Sequence, residues 1–124
     1  MSDDCFCGSG DRYLCCCGRY LEGGQCPDTP EQLMRSRYCA YVLAREDYLL
    51  TTWHPSTRPP NIPPSQVRWL GLKVIRAANN AMTGEVEFVA RHKMNGKAQR
   101  LHEVSHFVNE NGHWLYVNGK IEYE

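Results

Sequence analysis

Five of the seven cysteines fall within the first 17 residues, as Cys5-Phe6-Cys7 and Cys15-Cys16-Cys17. Thiols packed this densely point to metal ligation. A disulfide framework spreads its cysteines over loops so that each bridge closes a long segment, and neighbours such as Cys16 and Cys17 pair with each other only under strain. Two pairs of thiols separated by about eight residues can instead converge on one tetrahedral ion. Gly8 and Gly10 between them supply the permissive dihedrals for a tight turn. Four soft sulfur ligands select zinc and leave no open coordination position for an activated water. The run of three cysteines leaves the register open, since Cys15 could replace Cys16 or Cys17. Cys26 and Cys39 read as small core or surface residues and are given no role.

The same segment, Cys5-Phe6-Cys7-Gly8-Ser9-Gly10 followed by Tyr13 and Cys16-Cys17, resembles the SEC-C motif, the zinc-binding element at the carboxyl terminus of the SecA translocation ATPase. The resemblance implies that Cys5, Cys7, Cys16 and Cys17 are the zinc ligands and that Tyr13 packs beside the site. Cys15 then occupies a position the motif leaves free, and Cys17 stands where a histidine is common.

Other chemistry-bearing residues are scattered. His54 follows Trp53; Glu87 and Arg91 share one extended segment; His102, Glu103, Ser105 and His106 share the next. Strand alternation puts Glu103, Ser105 and Phe107 on one face and His102 and His106 on the other. Trp53, His54, Arg91, Glu103 and Ser105 form the candidate pocket set. No catalytic residue is assigned, because the chain carries no nucleophile-base-orienter spacing, glycine-rich phosphate loop or His-Glu-x-x-His helix. Arg35 and Arg37 are expected to reach buried carboxylates or carbonyls around Trp53.

The elements that must position these groups follow from periodicity. Thr29-Pro30-Glu31-Gln32 is a helix start, with threonine at the N-cap, proline where its missing donor costs nothing, and glutamine three places on to close a capping box. Leu33, Met34, Tyr38, Tyr41 and Val42 continue at helical spacing to about Ala44. A second short helix is predicted over Asp47–Trp53, with Tyr48, Leu49, Thr52 and Trp53 on one face, ended by Pro55. Five of the seven prolines lie between Pro55 and Pro64, a loop. From Val67 the period becomes two, with Leu70, Leu72 and Val74 on one face, then Val86, Phe88 and Ala90, then Leu101 to Val108 and Trp114 to Val117. Asn79-Asn80, Asn95-Gly96 and Asn111-Gly112 mark the reversals. Two helices followed by an antiparallel meander make an α+β fold.

Size and charge bound the rest. With 124 residues and 14 basic against 14 acidic side chains, the chain is one compact domain plus a small element, with no global attraction to nucleic acid. Residues 1–30 are acidic, five carboxylates against two arginines, whereas Arg58 to Arg100 holds eight basic residues against two glutamates. The longest apolar stretch, Tyr38 to Ala44, is far short of the roughly 20 residues of a membrane span. No membrane association and a cytoplasmic location are expected.

The middle of the chain, with Leu33-Met34-Arg35-Ser36-Arg37-Tyr38, Thr52-Trp53-His54-Pro55-Ser56, Trp69-Leu70-Gly71-Leu72, Val86-Glu87-Phe88-Val89-Ala90-Arg91 and Gly112-His113-Trp114-Leu115-Tyr116-Val117, resembles the bacterial YchJ-like family. The resemblance implies an amino-terminal SEC-C element, here 1–26, joined to a nuclear-transport-factor-2-like domain, here 27–124. In that fold a curved antiparallel sheet is closed by helices into a cone. Gly23-Gly24 reads as a hinge between the two parts. The function expected is a zinc-binding interaction module docking a protein or ribosomal partner through the SEC-C element, with nucleic acid contacted only through the ribosome. The alternative is a small pocket enzyme of isomerase or hydrolase type, or a ligand-binding domain, with a purely structural zinc site.

Overall fold

The computed structural model describes residues 3–63 and 67–122; Pro64, the last proline of the expected loop, and the terminal Tyr123 and Glu124 lie outside the described residues. A single turn of 3-10 helix (Tyr13–Cys15) precedes three helices, α1 (Gly18–Leu21), α2 (Pro30–Val42) and α3 (Glu46–Thr51). Four strands follow, β1 (Arg68–Asn79), β2 (Thr83–Met94), β3 (Lys97–Glu110) and β4 (His113–Ile121). They form one antiparallel meander in the order β1-β2-β3-β4.

Helix α2 begins where its capping residues require. Thr29 Oγ1 accepts from the Gln32 backbone N–H at 3.1 Å, and Gln32 Oε1 accepts from the Asp28 N–H at 2.7 Å, one residue before the cap. Its C-terminus was not signalled by glycine. The chain leaves through a Schellman-type closure in which Arg45 N–H bonds to Ala40 C=O at 2.8 Å and Ala44 N–H to Tyr41 C=O at 3.3 Å. This holds Ala44 at φ 57°. Leu33, Met34 and Tyr38 are buried as their spacing predicts, but so are Ser36, Arg37, Cys39 and Ala40. The helix is covered on most sides because the sheet, α3 and the cysteine-rich element all pack on it. Helix α3 is shorter than expected: Trp53 lies beyond it and bridges Tyr116 of β4, with His54 N–H donating to Tyr116 C=O at 2.7 Å.

The Asn95-Gly96 and Asn111-Gly112 turns form as read, each with positive φ at both residues. The β1–β2 turn is held by Asn80, whose Oδ1 accepts from Met82 and Thr83 N–H at 2.8 and 2.9 Å. Strand β1 breaks the expected alternation. Trp69 pairs with His92 and Gly71 with Arg91, so Leu70 is an extra residue; Ile75 is extra in the same way between Val74 and Arg76. The Leu70 bulge turns that side chain outward, 40% exposed, and gives the inward place to Trp69 beside Leu72 and Val74. Val86, Phe88, Ala90, Ser105 and Phe107 occupy the inner face as alternation predicts.

The glycine pair does not separate two cores. Cys5, Cys7, Cys16 and Cys17 belong to one buried cluster with Leu33, Met34, Tyr38, Cys39, Val86, Phe88 and Phe107. Gly23 and Gln25 N–H instead bond back to Gly18 and Arg19 C=O, closing α1. Among the described residues no helix is long and apolar enough to cross a membrane.

Candidate metal centre and cavity

The cysteine-rich element is a miniature hairpin folded against α2. Cys5 N–H bonds to Asp11 C=O and Tyr13 N–H to Asp3 C=O, both at 2.8 Å. Gly8, at φ 79°, turns the chain straight after Cys7. The 3-10 turn then delivers Cys16 in an irregular conformation, φ −122° and ψ −113°, and Cys17 starts α1. Tyr13 lies over Gly18, where any Cβ would collide with its carbonyl and ring, and donates from its hydroxyl to Glu22 at 2.8 Å.

Cys5, Cys7, Cys16 and Cys17 are buried and their four sulfurs lie within 4.8 Å of one another. Two edges of the cluster, Cys7–Cys16 at 3.7 Å and Cys16–Cys17 at 4.0 Å, bracket the edge of about 3.8 Å required by a tetrahedral ion with metal–sulfur bonds of about 2.3 Å. The donor set therefore fits a four-coordinate metal, which when bound would cross-link the hairpin to the start of α1. Cys15 is exposed and stands outside the set.

Polar groups surround this cluster. Arg35 Nη1 donates to Cys7 C=O at 2.8 Å and approaches Cys7 Sγ at 3.8 Å, and Ser9 Oγ lies 3.2 Å from Cys16 Sγ. The Cys5 thiol is pulled down to about 6, mainly by its interactions with the thiols of Cys17 and Cys39. Cys7 is lowered by the same two thiols. The other two move the opposite way, Cys16 pushed up mainly by burial and Cys17 mainly by its interaction with Cys39.

Cys39 was given no role from sequence, yet it is fully buried with its Sγ 3.5 Å from that of Cys5. The available signal was its position four residues after Arg35, on the same helical face, in a chain with an odd number of thiols.

A separate cavity of about 290 Å³ lies between α2 and the inner face of the sheet. Its walls are largely aromatic, from Tyr38, Tyr41, Trp69, Phe88, Phe107 and Tyr116, with Glu103 and Ser105 supplying polarity. Ser105 Oγ donates to Glu103 Oε2 at 2.6 Å. Arg37, also on the wall, donates to Leu49 C=O and Thr52 Oγ1, both at 2.8 Å, and its guanidinium lies 5.0 Å from the Trp53 ring centroid and 4.5 Å from that of Tyr116. Burial pulls the Arg37 guanidinium below its ordinary value.

Of the candidate pocket residues, Glu103 and Ser105 line this cavity and three others do not. Trp53 stands behind the wall, edge-on to Tyr116 at 5.0 Å. His54 is held at the other end of the sheet, with Nε2 2.8 Å from Glu110 and Nδ1 2.7 Å from Ser56 Oγ. Arg91 is on the outer face, over Gly71, because unbroken alternation along β2 points it away from Phe88 and Ala90. His102 and His106 also face outward, His102 Nε2 lying 2.7 Å from Glu87 and His106 Nδ1 3.5 Å from Glu85. Arg37 and Tyr116 were missed as cavity residues, since their convergence depends on how α2 crosses the sheet.

Residues 29–119 match the family model described as the YchJ middle NTF2-like domain. A UPF0225 protein of Chromobacterium violaceum is 50% identical over 125 residues, an alignment covering 94% of this chain and 92% of that protein. Another from Bordetella pertussis is 50% identical over 123 residues, with 94% and 92% covered. Among solved structures, a SEC-C motif containing protein from Rhodopseudomonas palustris superposes with a TM-score of 0.88 at 35% identity, covering 96% of this chain and 98% of that one. A SEC-C motif protein from Psychrobacter arcticus shares the fold at 24% identity, with a TM-score of 0.80 and 100% and 84% covered. With its cysteine cluster packed on a sheet of this topology, the chain belongs to the YchJ, UPF0225 family of SEC-C motif proteins.

Proposed function

We propose that the protein is a zinc-binding interaction module, docking a protein or ribosomal partner through its SEC-C element. Zinc is the ion favoured by four buried thiolates at tetrahedral spacing, and with all four positions filled its role is structural. The observation that carries the docking role is the exposure of Phe6, at 48%, and Leu14, at 71%, on the element the metal would pin. Phe6 stands between two ligands and Leu14 just before the others. Both border a groove ringed by Asp3, Asp4, Arg12, Glu22 and Arg45. An apolar pair with a charged rim, held on a rigid loop, has the anatomy of a small binding patch. The acidic excess of the segment, deepened by a tetrathiolate centre of formal charge −2, favours a basic partner surface. A reducing, cytoplasmic compartment suits the free thiols.

The test is affinity capture from lysate with wild type, Leu14→Asp and a Cys5→Ser/Cys7→Ser protein, followed by elution in rising salt. A partner held by wild type, lost by both variants and released by salt is expected; one held equally by all three would sink the docking reading.

One observation favours a second reading, a ligand-binding cavity. Trp69 Nε1 is buried on the cavity wall with no hydrogen-bond partner among the described residues. With Glu103 it offers one donor and one acceptor within aromatic walls, suited to a small planar molecule bearing both. A thermal-shift screen of such molecules, repeated on Glu103→Gln, tests it.

A further inference from the structure

Arg37 is only 5% exposed and lines the cavity, yet it has no counter-charge. Its Nη1 donates to neutral oxygens, Leu49 C=O and Thr52 Oγ1, and among the described residues no carboxylate lies within ion-pair distance of it. A guanidinium keeps its proton near neutral pH, and burying a charge without an opposite one is costly. The ring faces of Trp53 and Tyr116 offset part of that cost. An anion in the cavity would offset the rest.

Glu103 disfavours a simple anion. Its carboxylate is fixed on the same wall: Ser105 Oγ donates to Oε2 at 2.6 Å, and the group lies over Gly119 of β4, where a β-carbon would collide with it. Among the described residues no hydrogen bond reaches Oε1. A second carboxylate is repelled there unless the ligand also brings a hydrogen-bond donor. Strand register spaces the polar groups. Trp69 pairs with His92, which stands opposite Gln99, whereas Tyr116, beneath the Arg37 guanidinium, stands opposite Phe107. Glu103 is halfway between those two levels of β3. The buried, unpartnered Trp69 Nε1 therefore belongs to the end away from Arg37, with Glu103 between them.

We propose that the cavity binds a planar, single-ring monocarboxylate, its acid group against Arg37 and a hydroxyl at its opposite end donating to Glu103 and accepting from Trp69 Nε1–H. A volume of about 290 Å³ is at the small end for ligand pockets, which suits one substituted ring. The aromatic walls suit the faces of that ring. The ligand supplies the charge that Arg37 lacks, and its hydroxyl satisfies the two polar groups the fold leaves open. The inference deepens the ligand-cavity reading above and rests on it.

The test titrates the full chain with 4-hydroxybenzoate, its neutral isostere 4-hydroxybenzamide, and benzoate. Calorimetry gives the affinity, and the indole N–H peaks of heteronuclear NMR spectra give the position. The chain has three tryptophans. Trp69→Phe assigns the peak on the cavity wall, and Trp114, whose Nε1 donates to Asp28 C=O at 3.1 Å, is the reference. 4-Hydroxybenzoate is expected to move the Trp69 peak, leave that of Trp114 in place, and bind at least about tenfold more tightly than either other probe.

Glu103→Gln should narrow the advantage of 4-hydroxybenzoate over benzoate and keep its advantage over the amide. Arg37→Met should bind acid and amide alike; because Arg37 also ties α2 to α3, the comparison of acid with amide on the unmodified chain decides without it. An amide or a benzoate that binds as tightly as 4-hydroxybenzoate overturns the proposal and leaves the cavity reading standing. A preference for the acid with the Trp69 peak unmoved puts the anion elsewhere and overturns it too. Failure of all three probes to bind overturns the cavity reading beneath it.

Discussion

The cysteine cluster and the cavity are built in opposite ways from the same core. The cluster's motif ligands come from one stretch of 13 residues, Cys5 to Cys17, held by backbone hydrogen bonds that span at most ten positions. The cavity draws Tyr38 and Tyr41 from α2, Trp69 from β1, Phe88 from β2, Glu103 from β3 and Tyr116 from β4. A site whose parts are adjacent in the chain is written in local spacing, while a site assembled across five elements depends on crossing geometry and register. The two regions nonetheless share buried neighbours in Leu33, Met34, Phe88 and Phe107.

The largest effect expected is from breaking the cluster. If the four cysteines hold an ion as proposed, Cys7→Ser or a chelator should remove it and with it structural binding energy on the order of 10 kcal/mol. Because the cysteines are part of the common core, thermal unfolding of the whole chain should shift rather than only its amino-terminal signal. Deleting residues 1–26 sharpens the same point. The expectation of a hinge at Gly23-Gly24 has 27–124 unfolding cooperatively by itself, whereas the shared cluster predicts a marked loss of stability in the melting curve.

Next in size is Phe107→Ala, which empties a fully buried position at the floor of the cavity and should cost about 3–5 kcal/mol. Metal content should stay at one equivalent, showing that the cavity can be weakened without opening the cluster. Thr29→Ala removes the side-chain cap of α2 and should cost about 1 kcal/mol in denaturant titrations. The smallest change is a gain. Ala44→Gly relieves a left-handed conformation and should stabilise by about 1 kcal/mol, with no change in metal or cavity.

The legible parts of the molecule share one property: the residue that carries the signal also makes the contact. Thr29 caps its own helix, Asn95-Gly96 and Asn111-Gly112 form their own turns, and the paired cysteines meet their neighbours in sequence. Where a contact is settled by a distant element, spacing fails. Leu70 looks like an inward strand residue, and only the pairing of β1 with β2 shows that it is an inserted residue turned outward. Trp53 continues a helical pattern, but its backbone is captured by Tyr116, 63 residues later. Ala44 ends α2 in a role usually taken by glycine, so composition hides the stop. Cys39 reads as core because nothing nearby in sequence reveals that the amino-terminal hairpin folds onto it.

The approach of Gly8 to the Leu72 carbonyl is so close that a β-carbon there would lie 2.9 Å from the oxygen. Leu72 belongs to β1, which has a strand partner on one side only. The cysteine hairpin thus shields part of the sheet margin that, among the described residues, has no further strand beside it, the kind of edge that can take a strand from another molecule. A metal held by the four cysteines as proposed would stiffen that shield: light scattering at rising protein concentration is expected to be higher for chelator-treated protein than for protein loaded with zinc.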